Sequence, residues 1–117
     1  VGAACHTGNR TCFFNNIVKK EYVEKNPLTV LESVYAVIVD RMKNPKEDSY
    51  TNAVMEKGID EILKKLGHEC TEIILAAKNP DSDDLKFEIS DFMYHCMILM
   101  AQKNITWAEI AGELAQR

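Results

Sequence analysis

Every proline in this chain follows an asparagine, and the three Asn-Pro steps, at 26–27, 44–45 and 79–80, cut the sequence into helix-length pieces. Proline lacks an amide hydrogen and pushes the residue before it out of the helical region, so each step marks a boundary. Between the boundaries, apolar residues recur at helical spacing. Leu28, Leu31, Val34, Tyr35, Ile38, Val39 and Met42 form one stripe. Ile59, Ile62, Leu63, Leu66, Cys70, Ile73, Ile74 and Ala77 form a second, and Leu85, Ile89, Phe92, Cys96, Leu99 and Met100 a third. Ser49 or Thr51 is placed to cap the second helix, and Asp81 or Ser82 the third. Thr106, with Glu109 three positions on, makes a capping box for a short last helix. Gly58 and Gly67 are weak points of the second pattern, each costing about 1 kcal/mol relative to Ala, and a kink or a close helix contact is expected at one of them. No stretch alternates convincingly with period two. The pattern predicts an all-α fold, a helical bundle of about four helices.

The 117 residues make one modest domain. A helical domain of this size buries a limited core and often gains stability from a second copy, so a homodimer is expected. The net charge of -4 weighs against non-specific binding to nucleic acid or to a membrane surface. No apolar run is long enough to span a bilayer, and no basic start leads into an apolar stretch, which says nothing of a longer parent. A cytoplasmic setting is the simplest expectation. The chain opens on Val1 and reads as a processed, truncated or excised piece. Cys70 and Cys96 fall on apolar faces and read as buried reduced thiols.

The residues that carry chemistry are acidic. Glu69 and Glu72, and again Glu88 and Asp91, stand three apart on predicted helices, and residues so spaced share a face. With each apolar stripe set to zero on a helical wheel, Glu69 and Glu72 lie roughly 80° and 140° to one side, and Glu88 and Asp91 roughly 60° and 120° to the same side. Lys65 shares the first flank; Asp84 and His95 share the second. The short Asn79–Asp84 connection makes the two helices antiparallel neighbours, which lets the pairs face each other across a groove. Four such carboxylates repel one another and need a cation. Hard oxygen donors suit Mg²⁺ or Mn²⁺, and Mg²⁺ most often serves phosphates. The competing reading is a non-enzymatic helical module with a solvated acidic face. Carboxylates beside a helix seam are costly unless compensated, however, and Lys65 alone does not neutralise four.

The stretch from Ser49 to Asn79, SYTNAVMEKGIDEILKKLGHECTEIILAAKN, and FEISDFMYHCMIL over 87–99 closely resemble the phosphoribosyl-ATP pyrophosphohydrolases of histidine biosynthesis. These belong to the all-α nucleoside triphosphate pyrophosphohydrolases, marked by E-x-x-E followed by E-x-x-D. The resemblance spans about residues 28–117 and rests on S-Y-T, K-K-x-G-x-E-x-x-E and E-x-x-D-x-x-Y-H in combination. It implies that water cleaves the α–β phosphoanhydride of phosphoribosyl-ATP, giving phosphoribosyl-AMP and pyrophosphate. It also implies that Glu69, Glu72, Glu88 and Asp91 hold Mg²⁺, and that one of them, or a metal-bound hydroxide, activates the water. A dimer with the groove near the subunit interface is implied as well. The alternative is a broader house-cleaning hydrolase of non-standard nucleoside triphosphates, against which the S-Y-T loop and the Tyr94-His95 pair weigh.

Candidate substrate contacts are Ser49, Tyr50, Thr51, Lys57, Lys65 and His95. Ser49 and Thr51 read equally as caps, Lys57 and Lys65 as surface lysines, and His95 as a structural residue or a partner of a ligand carboxylate. Tyr94 reads as packing. One departure from the family pattern is His68, which stands where a third acid is usual and reads as an exposed, tolerated change.

The first residues differ from the rest. Cys5-His6-Thr7-Gly8-Asn9-Arg10-Thr11-Cys12 resembles C-H-T-G-x-R-[ST]-C at the end of phosphoribosyl-AMP cyclohydrolase, which performs the next step and is often fused ahead of the pyrophosphohydrolase. Residues 1–25 thus read as the tail of a cyclohydrolase-like domain plus a linker, and 26–117 as the helical domain. Two thiolates do not complete a catalytic zinc site, which needs three protein ligands and an open position. The zinc site at Cys5 and Cys12 is therefore read as incomplete.

Overall fold

A computed structural model describes residues 26–117; Cys5, Cys12 and the tail read as cyclohydrolase-like lie outside that range. Among the described residues there are five helices and no strand: α1 (Thr29–Lys43), α2 (Tyr50–Lys57), α3 (Ile59–Ala76), α4 (Asp83–Gln102) and α5 (Trp107–Ala115). No helix is long and apolar enough to cross a membrane. The all-α class follows the sequence pattern, with one helix more than expected.

The extra helix comes from Gly58. Its backbone, at φ 96° and ψ -179°, closes α2 and opens α3. This region of conformational space is essentially reserved for glycine. Gly67 lies inside α3 without interrupting it, and a Cβ at either glycine would meet nothing within 4 Å. The break is therefore a matter of backbone conformation, and no close helix contact is made at either glycine.

Local signals at the helix ends are obeyed where a side chain reaches the backbone. Ser49 caps α2, its Oγ accepting from the Asn52 amide at 3.2 Å. The Thr106–Glu109 capping box of α5 is complete in both directions. Ser82 stands at the start of α4 without capping it, while Asp81 Oδ1 accepts from the Asp83 amide at 2.8 Å. At the far end of α4, Asn104 takes φ 62°, the Ile105 amide returns to the Met100 carbonyl and the Asn104 amide to Ala101. This is a Schellman stop with Asn in place of Gly.

The core is built where α1, α2, α3 and the last half of α4 meet, around Ile38, Val54, Ile62, Met97, Ile98, Met100 and Ala101. The α4–α5 junction is fastened to α1 by two long-range bonds. Tyr35 donates to the Ile105 carbonyl at 2.6 Å, and the Trp107 indole donates to the Leu31 carbonyl at 3.2 Å. The most extensive helix contact is between α3 and α4.

The inward faces of α3 and α4 correct the sequence reading. On α3, burial centres on Ile62, Glu69 and Ala76, a line turned by roughly 80° from the centre of the apolar stripe. Leu63 is 48% exposed and Ile74 62%, and Cys70 is exposed too, not buried as its apolar neighbours suggested. On α4, Ile89 is 42% exposed, Leu85, Phe92 and Cys96 are half-buried, and His95 is buried. An apolar stripe thus runs along the outside of the α3–α4 pair, while acids line its inside. Leu28 and Met42, at the ends of the α1 stripe, are also exposed.

Replacing Gly58 by Ala is expected to destabilise the domain by about 1–3 kcal/mol, because Ala strains at this φ and ψ. Urea unfolding checks this; an unchanged midpoint would mean the α2–α3 corner does not depend on glycine.

Candidate active site

Because α3 is turned inward along Glu69, that carboxylate is 6% exposed and sits against α4. Glu69, Asp91 and His95 each bring a potential ligand atom within 4.8 Å of the others. Glu88, one turn before Asp91 on α4, acts on Glu69 as well, through its charge and as a hydrogen-bond partner for a shared proton. The spacing of the two acidic pairs thus does what the sequence suggested for three of the four carboxylates. They converge from two antiparallel helices joined by a short turn.

The electrostatics are those of a site built for positive charge. Burial first, then the neighbouring carboxyl of Asp91, then that of Glu88, push Glu69 up to about 7 from 4.5. Oε1 of Glu69 and Oε1 of Glu88 are buried with no donor to meet them. Ionised carboxylates only accept, so without a cation the cluster is relieved only by a proton held between Glu69 and its neighbours. A hard divalent cation fits the same donor set, since it satisfies buried oxygens that no N–H or O–H reaches.

Glu72 stands apart from this inner group. It is half-buried at the rim of α3, and its Oε2 lies 3.6 Å from Nε2 of His68 one turn earlier. His68 is 64% exposed on its side chain, as the sequence implied, yet it has a partner in this acid. Lys65 reaches Glu61 at 3.9 Å and lies 6.0 Å from the centre of the Tyr50 ring. Lys57 is exposed in the last turn of α2.

The S-Y-T segment and the Tyr94-His95 pair meet residue for residue. Tyr50 Oη is 2.7 Å from His95 Nε2, and Thr51 Oγ1 is 2.6 Å from Tyr94 Oη. The other His95 nitrogen, Nδ1, lies 2.8 Å from the Asp91 carbonyl oxygen and 3.7 Å from Asp91 Oδ1. The His95 ring stands edge-on to both tyrosines, at 5.7 Å from Tyr50 and 6.0 Å from Tyr94 between centres. Burial, Asp91 and Glu69 together push the Tyr50 phenol up to about 12, so it stays protonated. Thr51 and His95 are both buried, with their polar atoms engaged inside the protein, and Ser49 is occupied as a cap.

Three participants escaped the sequence reading. Glu61 lies beside Lys65 and Tyr50, and its i, i+4, i+8 spacing with Lys65 and Glu69 was a usable signal. Tyr94 is more than packing, since its hydroxyl holds Thr51. Asn52 ties the 44–49 loop to α1, its amide donating to the Arg41 carbonyl at 2.8 Å and its oxygen accepting from the Lys46 amide at 2.8 Å. No sequence pattern distinguishes it.

Comparison with known proteins gives this geometry its context. The sequence profile of the phosphoribosyl-ATP pyrophosphohydrolases matches residues 31–117. The chain belongs to that family. A phosphoribosyl-ATP pyrophosphatase of Clostridium novyi is 51% identical over 90 residues, covering 77% of this chain and 82% of its own length. That of Bacillus cereus is 47% identical over 93 residues, covering 80% and 84%. A histidine biosynthesis bifunctional protein of Caldanaerobacter subterraneus is 45% identical over 116 residues, which is 99% of this chain but 55% of that protein. The chain spans about half the length of the bifunctional relatives it matches.

A glutamate that holds its proton above its unfolded value favours the fold while protonated. As pH rises, the unfolded chain releases that proton first, so the metal-free fold loses stability from pH 4.5 to about 7. Urea unfolding in the presence of a chelator should record this decline, and Glu69→Gln should remove most of it. A wild-type response that is flat across the window would show that the carboxylates are not crowded in solution.

Proposed function

We propose that this chain hydrolyses phosphoribosyl-ATP at its α–β phosphoanhydride, releasing pyrophosphate and leaving phosphoribosyl-AMP in histidine biosynthesis. The observation that carries the reading is the buried convergence of Glu69, Glu88 and Asp91, with two carboxylate oxygens that have no donor. Family membership supports the substrate.

Glu69, Glu88 and Asp91 would hold Mg²⁺ or Mn²⁺ from the inside, and Glu72 would close the set from the rim. When bound there, the ion neutralises phosphate charge and polarises the anhydride. The chain's own groups do the rest. Lys65 offers a point charge to the phosphates at the open flank beside Tyr50, and Lys57 a second one at the end of α2. Tyr50 faces the substrate directly, Thr51 and His95 act by holding α2 against α4, and Ser49 acts by capping the start of α2. One of the four carboxylates accepts the proton of the attacking water, since acids are the basic groups nearest the reacting centre.

The outward apolar stripe supports a homodimer. Leu63 and Ile74 of α3 and Ile89 of α4 lie along one side of the helix pair and stay 42–62% exposed. Exposed apolar stretches of this kind mark association surfaces. A second copy satisfies them by the same side, as two-fold symmetry requires. We further propose that residues 1–25 are the tail of a cyclohydrolase-like domain, as in the bifunctional relatives, and that the enzyme is cytoplasmic.

Two measurements test these readings. Pyrophosphate release is followed with phosphoribosyl-ATP, ATP and dUTP, with and without Mg²⁺. Release from phosphoribosyl-ATP alone, dependent on Mg²⁺ and reduced at least about 100-fold in Asp91→Asn, is expected. Equal turnover of dUTP would move the chain to the broader house-cleaning hydrolases. Sedimentation should give twice the 13.3 kDa chain mass, and Ile74→Lys should shift it to one chain; a monomeric wild type would reject the dimer.

A further inference from the structure

The two hydrogen bonds that join α2 to α4 involve consecutive residues on each helix, Tyr50 and Thr51 on one and His95 and Tyr94 on the other. Their chemistry fixes more than position. The Asp91 carbonyl oxygen has lone pairs only, so His95 Nδ1, 2.8 Å away, must carry the ring hydrogen. In a neutral imidazole the other nitrogen is then an acceptor. His95 Nε2 is 2.7 Å from Tyr50 Oη, so the phenol donates its only hydrogen inward. What remains on Tyr50 Oη is lone pairs. Tyr50 is nevertheless 42% exposed, beside Asp91, Glu69 and Glu61 and below Lys65.

We propose that His95 is a positioning residue that turns the Tyr50 hydroxyl into an obligate acceptor. Tyr50 then recognises a hydrogen-bond donor on the substrate, a sugar hydroxyl or a base amino group, and not a phosphate oxygen. This deepens the pyrophosphohydrolase reading and rests on it. A phosphate oxygen brought to Tyr50 Oη would set acceptor against acceptor within the field of nearby carboxylates. A donor group there completes the chain from ligand to Tyr50, to His95, to the backbone of the residue that carries a metal-facing carboxylate. The Thr51–Tyr94 bond at 2.6 Å holds the register of that chain, since it stops α2 from rotating about the first contact. The edge-on contacts of His95 with both tyrosines hold its ring in plane. Sorting the polar groups this way divides recognition between two surfaces. Lys65 and the cation that the carboxylates would hold suit the phosphates, and Tyr50 takes a neutral donor.

The test pairs kinetics with a spectrum that needs no substrate. In the full chain, Tyr50→Phe keeps the ring and removes the acceptor. KM for phosphoribosyl-ATP is expected to rise about 2- to 10-fold, the worth of one hydrogen bond, with kcat changed less than about twofold. His95→Gln should do the same, and the double variant should be no worse than either single one, because His95 acts through Tyr50. Additive losses, or an unchanged KM in Tyr50→Phe, would overturn the proposal. Nitrogen NMR of histidine-labelled wild type should show His95 with hydrogen on Nδ1 alone and a bonded, unprotonated Nε2 that shifts in Tyr50→Phe. Hydrogen on Nε2 would overturn it even if His95→Gln fails to fold. If wild type releases no pyrophosphate from phosphoribosyl-ATP, the pyrophosphohydrolase reading has failed. The spectrum then still decides the His95–Tyr50 arrangement on its own.

Discussion

The burial of Glu69 against Asp91 and Glu88 sets the terms for the rest of this structure. A helix presents one face to a neighbour, and α3 carries two candidates for it: a wide apolar stripe and a line of acids beside that stripe. Packing energy alone favours the stripe, since each fully buried Leu or Ile contributes about 1.5–3 kcal/mol. The chain instead turns Glu69 inward and leaves Ile74 and Leu63 largely in solvent. Both departures have one cause. The acidic face occupies the α3–α4 seam, and the displaced apolar face is moved outside, where a second copy of the chain could cover it. In this fold the acidic cluster and the outward apolar stripe are two flanks of the same pair of helices.

The framework around the cluster is arranged to keep that choice fixed. Gly58 lets α2 leave the line of α3, and α2 then lies where its first two residues meet Tyr94 and His95. Asn52 binds the preceding loop to α1, and α1 holds the end of α4 through Tyr35 and Trp107. The helix that carries Glu88 and Asp91 is therefore held at its apolar end by the core and at its middle by the two hydroxyl bonds. Carboxylates on rigid helices keep a fixed separation, so their crowding raises the Glu69 pKa to about 7 instead of being relieved by splaying.

Much of this was legible in the sequence, and the failures share a physical reason. The Thr106–Glu109 box, the Ser49 cap and the boundaries at Asn-Pro are local, settled by atoms a few residues apart, and the sequence shows them. The pairing of Glu69 with Asp91 was also legible, because it depends only on i, i+3 spacing and a short connection. The inward faces of α3 and α4 were not. A helical wheel averages the apolar residues of one helix and carries no information about what covers each side, so a stripe shared between a core and a partner is read as core. The role of His95 was legible only in part. Its place on the acidic stripe was visible, but the orientation of its ring depends on the Asp91 carbonyl, which no side-chain pattern encodes. Gly58 showed as a weak point, and only its positive φ made it a boundary.

The four family carboxylates are not equivalent here, and the asymmetry gives the site a direction. On the α3 wheel, taking Ile62 as the inward line, Lys65, Glu72 and Glu61 lie about 60–100° to one side, while Leu63, Cys70 and Ile74 lie about 80–120° to the other. The apolar side is the one a partner copy would close. The charged side holds the rim acid, the lysine and the exposed ring of Tyr50, so it is the side from which a charged ligand can enter. Glu69 lies between them, too deep to meet solvent. A polyphosphate approaching from the charged side would meet Lys65 and Glu72 before the inner carboxylates. His68 bears on the same entry, for it pairs with Glu72, the one acid of the four that faces outward. An imidazole at this position adds no negative charge to what an incoming phosphate would meet, whereas the usual family acid would.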